Sequence, residues 1–252
     1  MPFIPSFVGK AFVVSDSDAR IRDPNDLTTT TPKVIPKGTR VVVTEVKTQA
    51  TGSKNRTVFA NTTSTSGTVL GWTSTRNFDG SFINETLGLL PAGNNSNQKG
   101  PNGAWSNGNF IGVVDLVEIV DNTHEIERMT LPTVEPYLTM VAAAAAAGIH
   151  MAINSGFRSW PEQNVLFQGF TDHVPGFNRA APPGFSNHQN GIALDIEVGG
   201  FGSAIYNWLT KNATSFGFIR TVSGEPWHWE HDPAKAATAK TQGTFKTANV
   251  SP

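Results

Sequence analysis

Two kinds of hydrophobic spacing divide this chain. Over residues 1–90 the apolar positions form short β-branched runs, AFVVS (11–15), RVVVTEV (40–46) and RTVFAN (56–61), between clusters of Asp, Pro, Gly, Thr and Asn. Runs bounded in this way predict strands, and no helical period accompanies them. The PKG at 36–38 predicts a turn just before the strongest strand. From 90 the chain reads LPAGNNSNQKGPNGAWSNGN, rich in Gly, Asn, Ser and Pro, which predicts a linker over 91–109. The expected organisation is an all-β domain over 1–90, the linker, and a second domain over 110–252.

In the second part the period lengthens. LPTVEPYLTMVAAAAAAGI (131–149) predicts a helix with Thr130 as cap, Pro132 in its first turn and Gly148 at its end. Its alanines are expected to form a close-packing face. HMAINS (150–155) alternates like a strand, and SGFRS turns out of it. A long Gly/Pro-containing loop is expected over 164–185. SAIYNWLTKNATSFGF (203–218) predicts a second helix with Ile205, Trp208, Leu209 and Phe216 on one side. Strands are expected around 192–198 and 226–230, and the tail from Ala234 is expected to be peripheral. The pattern is α+β.

Composition narrows the function classes. The 252 residues carry 38% hydrophobic and 10% aromatic side chains, enough for a sizeable core. With 19 basic against 20 acidic residues and no block of either sign, neither a nucleic-acid surface nor a polybasic membrane patch is expected. There is no cysteine, which removes disulfides, thiolate metal sites and cysteine nucleophiles. The longest apolar run, 140–153, is too short and too alanine-rich to span a bilayer, so no membrane insertion is expected. The opening MPFIPSFVGKAFVV lacks a basic start and is interrupted by Pro2, Pro5, Gly9 and Lys10, so it is a poor signal peptide.

A metal site in such a chain must use imidazole and carboxylate. SNHQNGIALDIEV (186–198) offers His188 and Asp195, and SGEPWHWEH (223–231) offers Glu225, His228, Glu230 and His231. On one continuous strand, His188 and Asp195 would face opposite sides. Asn190-Gly191 is a turn signal that resets the register, leaving His188 before the strand and Asp195 inside it. Ala193 shares the Asp195 face and leaves room for an ion, while Ile192, Leu194 and Ile196 point to a core. His188, Asp195 and His228 would form an open three-ligand set for zinc. Glu225 is the candidate general base, and Arg158 could stabilise an oxyanion. Lone histidines are more often structural than ligating, which is the reading for His124, His150 and His173. His231 stays open between supporting a ligand and the surface, and Glu230 between supporting a ligand histidine and solvation. Trp227 and Trp229 are read as packing residues first.

The order SGFRSWPEQ, SNHQNGIALD, EPWH resembles the zinc D-alanyl-D-alanine carboxypeptidases of the VanY type. Ser186, His188, Gly191, Ala193 and Asp195 fill the second pattern, and Glu225, Trp227 and His228 the third. The likeness covers roughly 130–232, with Phe157 where the family commonly has tyrosine. The resemblance implies an α+β metallopeptidase domain of the Hedgehog/D,D-peptidase-like kind, with zinc held by His188, Asp195 and His228. It further implies Glu225 as base, Arg158 beside the scissile carbonyl, and Gln163, Ser186 and Trp227 along the substrate pocket. The expected partner is the peptidoglycan stem peptide and the expected state a monomer.

DARIRDPND (18–26), VIPKGTRVVVTEV (34–46) and VLGWTSTRNF (69–78) resemble a small bacterial SH3-like barrel, a module that binds cell-wall peptides or braces the peptidase. The expected function is therefore a peptidoglycan D,D-carboxypeptidase acting in the periplasm or cell wall. It would be exported by phage lysis or a dedicated secretion system, or would have lost its leader. The alternatives are an endopeptidase of the same fold and a non-catalytic wall-binding protein.

Overall fold

The computed structural model describes residues 8–15, 17–50, 56–78, 85–90, 99–121 and 126–241. His124 and residues 91–98 of the expected linker lie outside the described residues. The chain folds as two compact units, one of residues 1–88 with 118–126 and one of 89–117 with 127–252. A single crossing at 91–109 is thus replaced by three. The short return at 118–126 has a packing reason: Val120 and Ile126 pack with the core of the first unit.

The first unit is built on β1 (Ala11–Val13), β2 (Ala19–Asp23), β3 (Asp26–Ile35), β4 (Arg40–Ala50), β5 (Arg56–Ser64) and β6 (Val69–Ser74). They form one antiparallel sheet in the order β1-β4-β5-β6-β2-β3. The alternation in RVVVTEV is realised directly, with Val41 and Val43 buried beside Phe12, Ile35 and Val58. The PKG turn is present, with Gly38 at φ +81° and its N–H on the carbonyl of Val14. Removing residues 1–88 would leave Val120 and Ile126 without the core they join. Such a chain is expected to aggregate on purification; a monodisperse monomer by gel filtration with an unchanged Tm would contradict this.

The chain then runs through β7 (Glu85–Leu90), β8 (Gly103–Ser106), β9 (Asn109–Val113), β10 (Leu116–Val120) and β11 (Ile126–Thr130). The strand β8 lies inside the segment expected to be a linker. Asn107 and Gly108 both have positive φ, +49° and +78°, and form a two-residue hairpin turn between β8 and β9. The Asn-Gly signal was visible, but so many Gly and Asn neighbours disguised it as linker composition.

The rest of the second unit comprises α1 (Leu131–Ala146), β12 (Ile153–Ser155), α2 (Trp160–Thr171), β13 (Ala193–Ile196), α3 (Ala204–Asn212), β14 (Phe218–Arg220), β15 (His228–His231) and α4 (Pro233–Thr241). Helix α1 buries Thr133, Val134, Tyr137, Met140, Val141 and Ala144, a single stripe at helical spacing. Ala144 alone of residues 142–147 is buried, so the alanine run supplies helix propensity more than a packing face. Helix α2 occupies 160–171, part of which was expected to be loop. Its start is fixed by Glu162, whose carboxylate accepts the Ser159 N–H at 2.8 Å, with Pro161 in the first turn. The peripheral tail begins as α4, with Ala236 buried. A four-stranded sheet in the order β12-β13-β15-β14 carries the candidate site. Among the described residues, no helix is long and apolar enough to cross a membrane.

Candidate metal centre

Antiparallel pairing of β13 with β15 sets Asp195 directly opposite His228. The two side chains therefore leave the same face of the sheet. The chain enters β13 through a 3-10 turn, Asn187–Gln189, in which the Ser186 hydroxyl accepts the His188 N–H at 3.3 Å. Gly191, at φ +84°, then redirects the backbone, and its carbonyl accepts the Thr130 hydroxyl at 2.8 Å. Thus Asn190-Gly191 resets the register between His188 and Asp195. Leu194 and Ile196 are buried in the core, as the alternation requires.

One ligand atom from each of His188, Asp195 and His228 lies within 4.8 Å of the other two. Asp195 Oδ1 is 3.3 Å from His188 Nε2 and 3.1 Å from His228 Nδ1. Zinc bonds of ~2.0–2.2 Å in a tetrahedron hold ligand atoms about 3.4 Å apart, so the spacing fits. Each ring is also turned to offer the needed nitrogen. His188 places Nδ1 2.8 Å from the Gly156 carbonyl and keeps Nε2 toward Asp195. His228 has the opposite arrangement, with Nε2 3.2 Å from Glu230 Oε1 and Nδ1 toward Asp195.

The electrostatics agree with the geometry. Burial alone would raise the Asp195 carboxyl, but the charge and hydrogen bonds of His188 and His228 hold it well below the usual carboxylate range. Burial lowers the His188 imidazole despite the pull of Asp195. It also opposes charge on His228, yet bonds to Asp195 and Glu230 raise that ring to about 9. A pKa raised from 6.5 to about 9 on folding stabilises the metal-free protein fully below pH 6.5. That contribution is lost as pH rises through about 9. In chelator, Tm is therefore expected to fall across this window; a flat profile by thermal unfolding from pH 6 to 10 would contradict it.

The other residues expected at the site surround this set in different ways. Arg158 donates through Nη2 to Asp195 Oδ2 at 3.0 Å and through Nε to Ser155 Oγ at 2.8 Å. Its Nη1 is left with a long contact of 3.5 Å to Gln163 Oε1. Gln163 is fully buried on α2 and donates to the Ala181 carbonyl at 2.8 Å. Ser186 caps the turn that carries His188. Glu225 is 41% exposed, with Oε2 3.9 Å from His228 Nδ1, and stands at the edge of the set rather than within it. Arg220 secures its loop by donating to the carbonyls of Val222 and Ser223 at 3.0 and 2.8 Å.

The two tryptophans differ: Trp229 is fully buried, whereas Trp227 is 41% exposed and available at the surface. His150 and His173 are exposed. His231 is half-buried against Phe218, with ring centroids 5.1 Å apart. Residue patterning missed the Gly156 carbonyl, and the only signal for it was the glycine in SGFRS. It also missed the hairpin β8–β9, which reaches the segment before Ser186 through Gly108 N–H on the Gly184 carbonyl at 2.9 Å. Trp105 of that hairpin lies against Trp160 at 4.3 Å between ring centroids.

Residues 127–234 match the VanY family model, described as D-alanyl-D-alanine carboxypeptidase. The match covers less than half of the chain. A D-alanyl-D-alanine carboxypeptidase of Enterococcus faecalis is 33% identical over 131 residues, covering 42% of this chain and 49% of its own. One from Enterococcus faecium is 31% identical over 119 residues, covering 40% and 36%. The chain thus spans about half or less of these relatives. Among solved structures, VanYB in complex with D-Alanine-D-Alanine is 26% identical, with a TM-score of 0.45 over 56% of this chain and 92% of that one. A vancomycin-resistance D,D-pentapeptidase VanY with Zn(II) is 28% identical, with a TM-score of 0.39 over 47% and 81%. The VanY match begins beyond the β8–β9 hairpin.

Proposed function

We propose that this chain is a zinc-dependent peptidoglycan peptidase that removes the terminal D-alanine from stem peptides. The observation that carries the reading is the buried convergence of His188 Nε2, Asp195 Oδ1 and His228 Nδ1 at the spacing of a tetrahedral zinc site. The VanY match over the same residues supports it, and we read the second unit as a Hedgehog/D,D-peptidase-like domain. When bound, zinc supplies Lewis acidity and brings the pKa of a coordinated water to roughly 7. Glu225 accepts a proton on its carboxylate and returns it to the leaving amine. Its exposure keeps it free to do so, while its 3.9 Å distance from His228 keeps it beside the reacting centre. Arg158 fixes Asp195 through Nη2, and its weakly engaged Nη1 faces the task of binding the scissile carbonyl. Gln163 holds Arg158 and the Ala181 backbone, Ser186 shapes the turn under His188, and the exposed Trp227 offers an apolar face to the peptide.

The first unit is read as the SH3-like module that holds the enzyme at the wall or braces it. Support comes from a groove of about 400 Å³ whose lining includes Pro24, Pro32, Val69 and Trp72 together with Arg22 and Lys33. Action in the periplasm or cell wall follows from the substrate.

The test is mass spectrometry of pentapeptide muropeptides after incubation with the zinc-loaded protein and with a chelated control. Loss of one terminal alanine, abolished by chelator, is expected. Split cross-links or a released stem would move the cut to an endopeptidase position. No product from a protein that retains zinc would overturn the enzyme reading in favour of wall binding.

A further inference from the structure

Glu230 stands outside the three-ligand set, yet its side chain is only 4% exposed. A carboxylate that deep is tolerated only when its charge is met by donors. Three donors converge on its Oε1: His228 Nε2 at 3.2 Å, Thr221 Oγ1 at 2.7 Å, and Asn187 Nδ2. They come from three different segments. Asn187 precedes His188 in the 3-10 turn, His228 lies on β15, and Thr221 opens the loop that carries Glu225. One oxygen thus joins the backbone beside one histidine ligand to the ring of the other, and both to the loop of the base.

The geometry points to Glu230 as a positioning residue, which holds His228 with Nδ1 free for the metal and keeps the His188 turn and the Glu225 loop in register with it. This rests on the zinc reading above. The chemistry is specific to a carboxylate at this place. An acceptor at Nε2 keeps the proton on that nitrogen, so the lone pair stays on Nδ1. A negative oxygen also strengthens each of the three bonds it receives. Glutamine would keep an oxygen acceptor but lose the charge. Alanine would lose both and leave the His228 N–H, the Thr221 hydroxyl and the Asn187 amide without this acceptor.

The experiment compares the zinc-loaded parent with Glu230→Gln and Glu230→Ala by two measurements, chelator competition for zinc and nitrogen-15 imidazole spectra. In the parent, His228 is expected as the Nε2–H tautomer with a slowly exchanging proton. Glu230→Ala is expected to weaken zinc binding by about 10–100-fold and to broaden that proton by exchange, with Glu230→Gln between the two. If the alanine variant does not fold, the glutamine variant decides on the same readouts. Affinities within twofold of the parent and an unchanged Nε2–H signal would overturn the inference while leaving the zinc site standing. A parent that binds no zinc would overturn both.

Discussion

Glu225→Gln is expected to keep about one zinc per chain and to lose about 10²–10⁴-fold in turnover of a pentapeptide substrate. The reason lies in where Glu225 stands. It contributes no atom to the His188–Asp195–His228 set, so its amide replacement leaves the ligands untouched. Its carboxylate is 41% exposed and 3.9 Å from His228 Nδ1, close enough to exchange a proton with a molecule held beside that set. Glutamine matches its shape but cannot accept that proton. The loss should fall on kcat, with zinc content by elemental analysis unchanged. Near-parental turnover would remove Glu225 from the chemistry. Lost zinc would instead make it a ligand.

The second large effect is expected from a residue with no side chain. A Cβ on Gly156 would stand 2.1 Å from the Arg128 carbonyl oxygen and 3.1 Å from its carbon, both backbone atoms. Neither backbone segment can easily yield. The same Arg128 carbonyl accepts the Phe157 N–H at 2.6 Å, and the Gly156 N–H is held by Glu127 Oε2 at 2.8 Å. Gly156→Ala is therefore expected to destabilise by about 3 kcal/mol, at the upper end for forced overpacking. For a chain of this size that corresponds to a fall in Tm of roughly 6–12 °C. It should also weaken zinc binding, because the Gly156 carbonyl is what His188 Nδ1 meets at 2.8 Å. A variant with Tm within about 2 °C of the parent and the same zinc affinity in a chelator titration would show that the backbone there is more pliable than its bonds imply.

These two cases mark how far the residue pattern reached. Residue type and spacing offer Glu225, His188, Asp195 and His228 as candidates in a cysteine-free chain, and the order of the motifs that resembles the VanY type makes the set specific. Gly156 could not be given its role, since the glycine in SGFRS does not say which side chain its carbonyl will meet. Residue type alone leaves Glu230 open between solvent and support for a ligand. Its environment depends on Asn187, which is 43 residues away in the chain. The C-terminal part of helix α2 has the pattern of a loop, because the Gly and Pro residues after it outweigh a weakly patterned run. The hairpin β8–β9 resembles a linker for the same kind of reason: composition averaged over the segment hides one short turn.

By itself the sequence determined whatever depends on neighbours along the chain. The strands β1, β4 and β5 follow from short β-branched runs, helix α1 from its apolar stripe and first-turn proline, and the reset between His188 and Asp195 from the conformational freedom of Gly191. Tertiary structure decided what depends on register between distant strands. The β13–β15 pairing placed Asp195 opposite His228, and the Gly156 carbonyl and Glu230 carboxylate selected which nitrogen each histidine presents. Turn and helix propensities act over a few residues, whereas a hydrogen-bond partner across a sheet exists only once the chain has closed on itself.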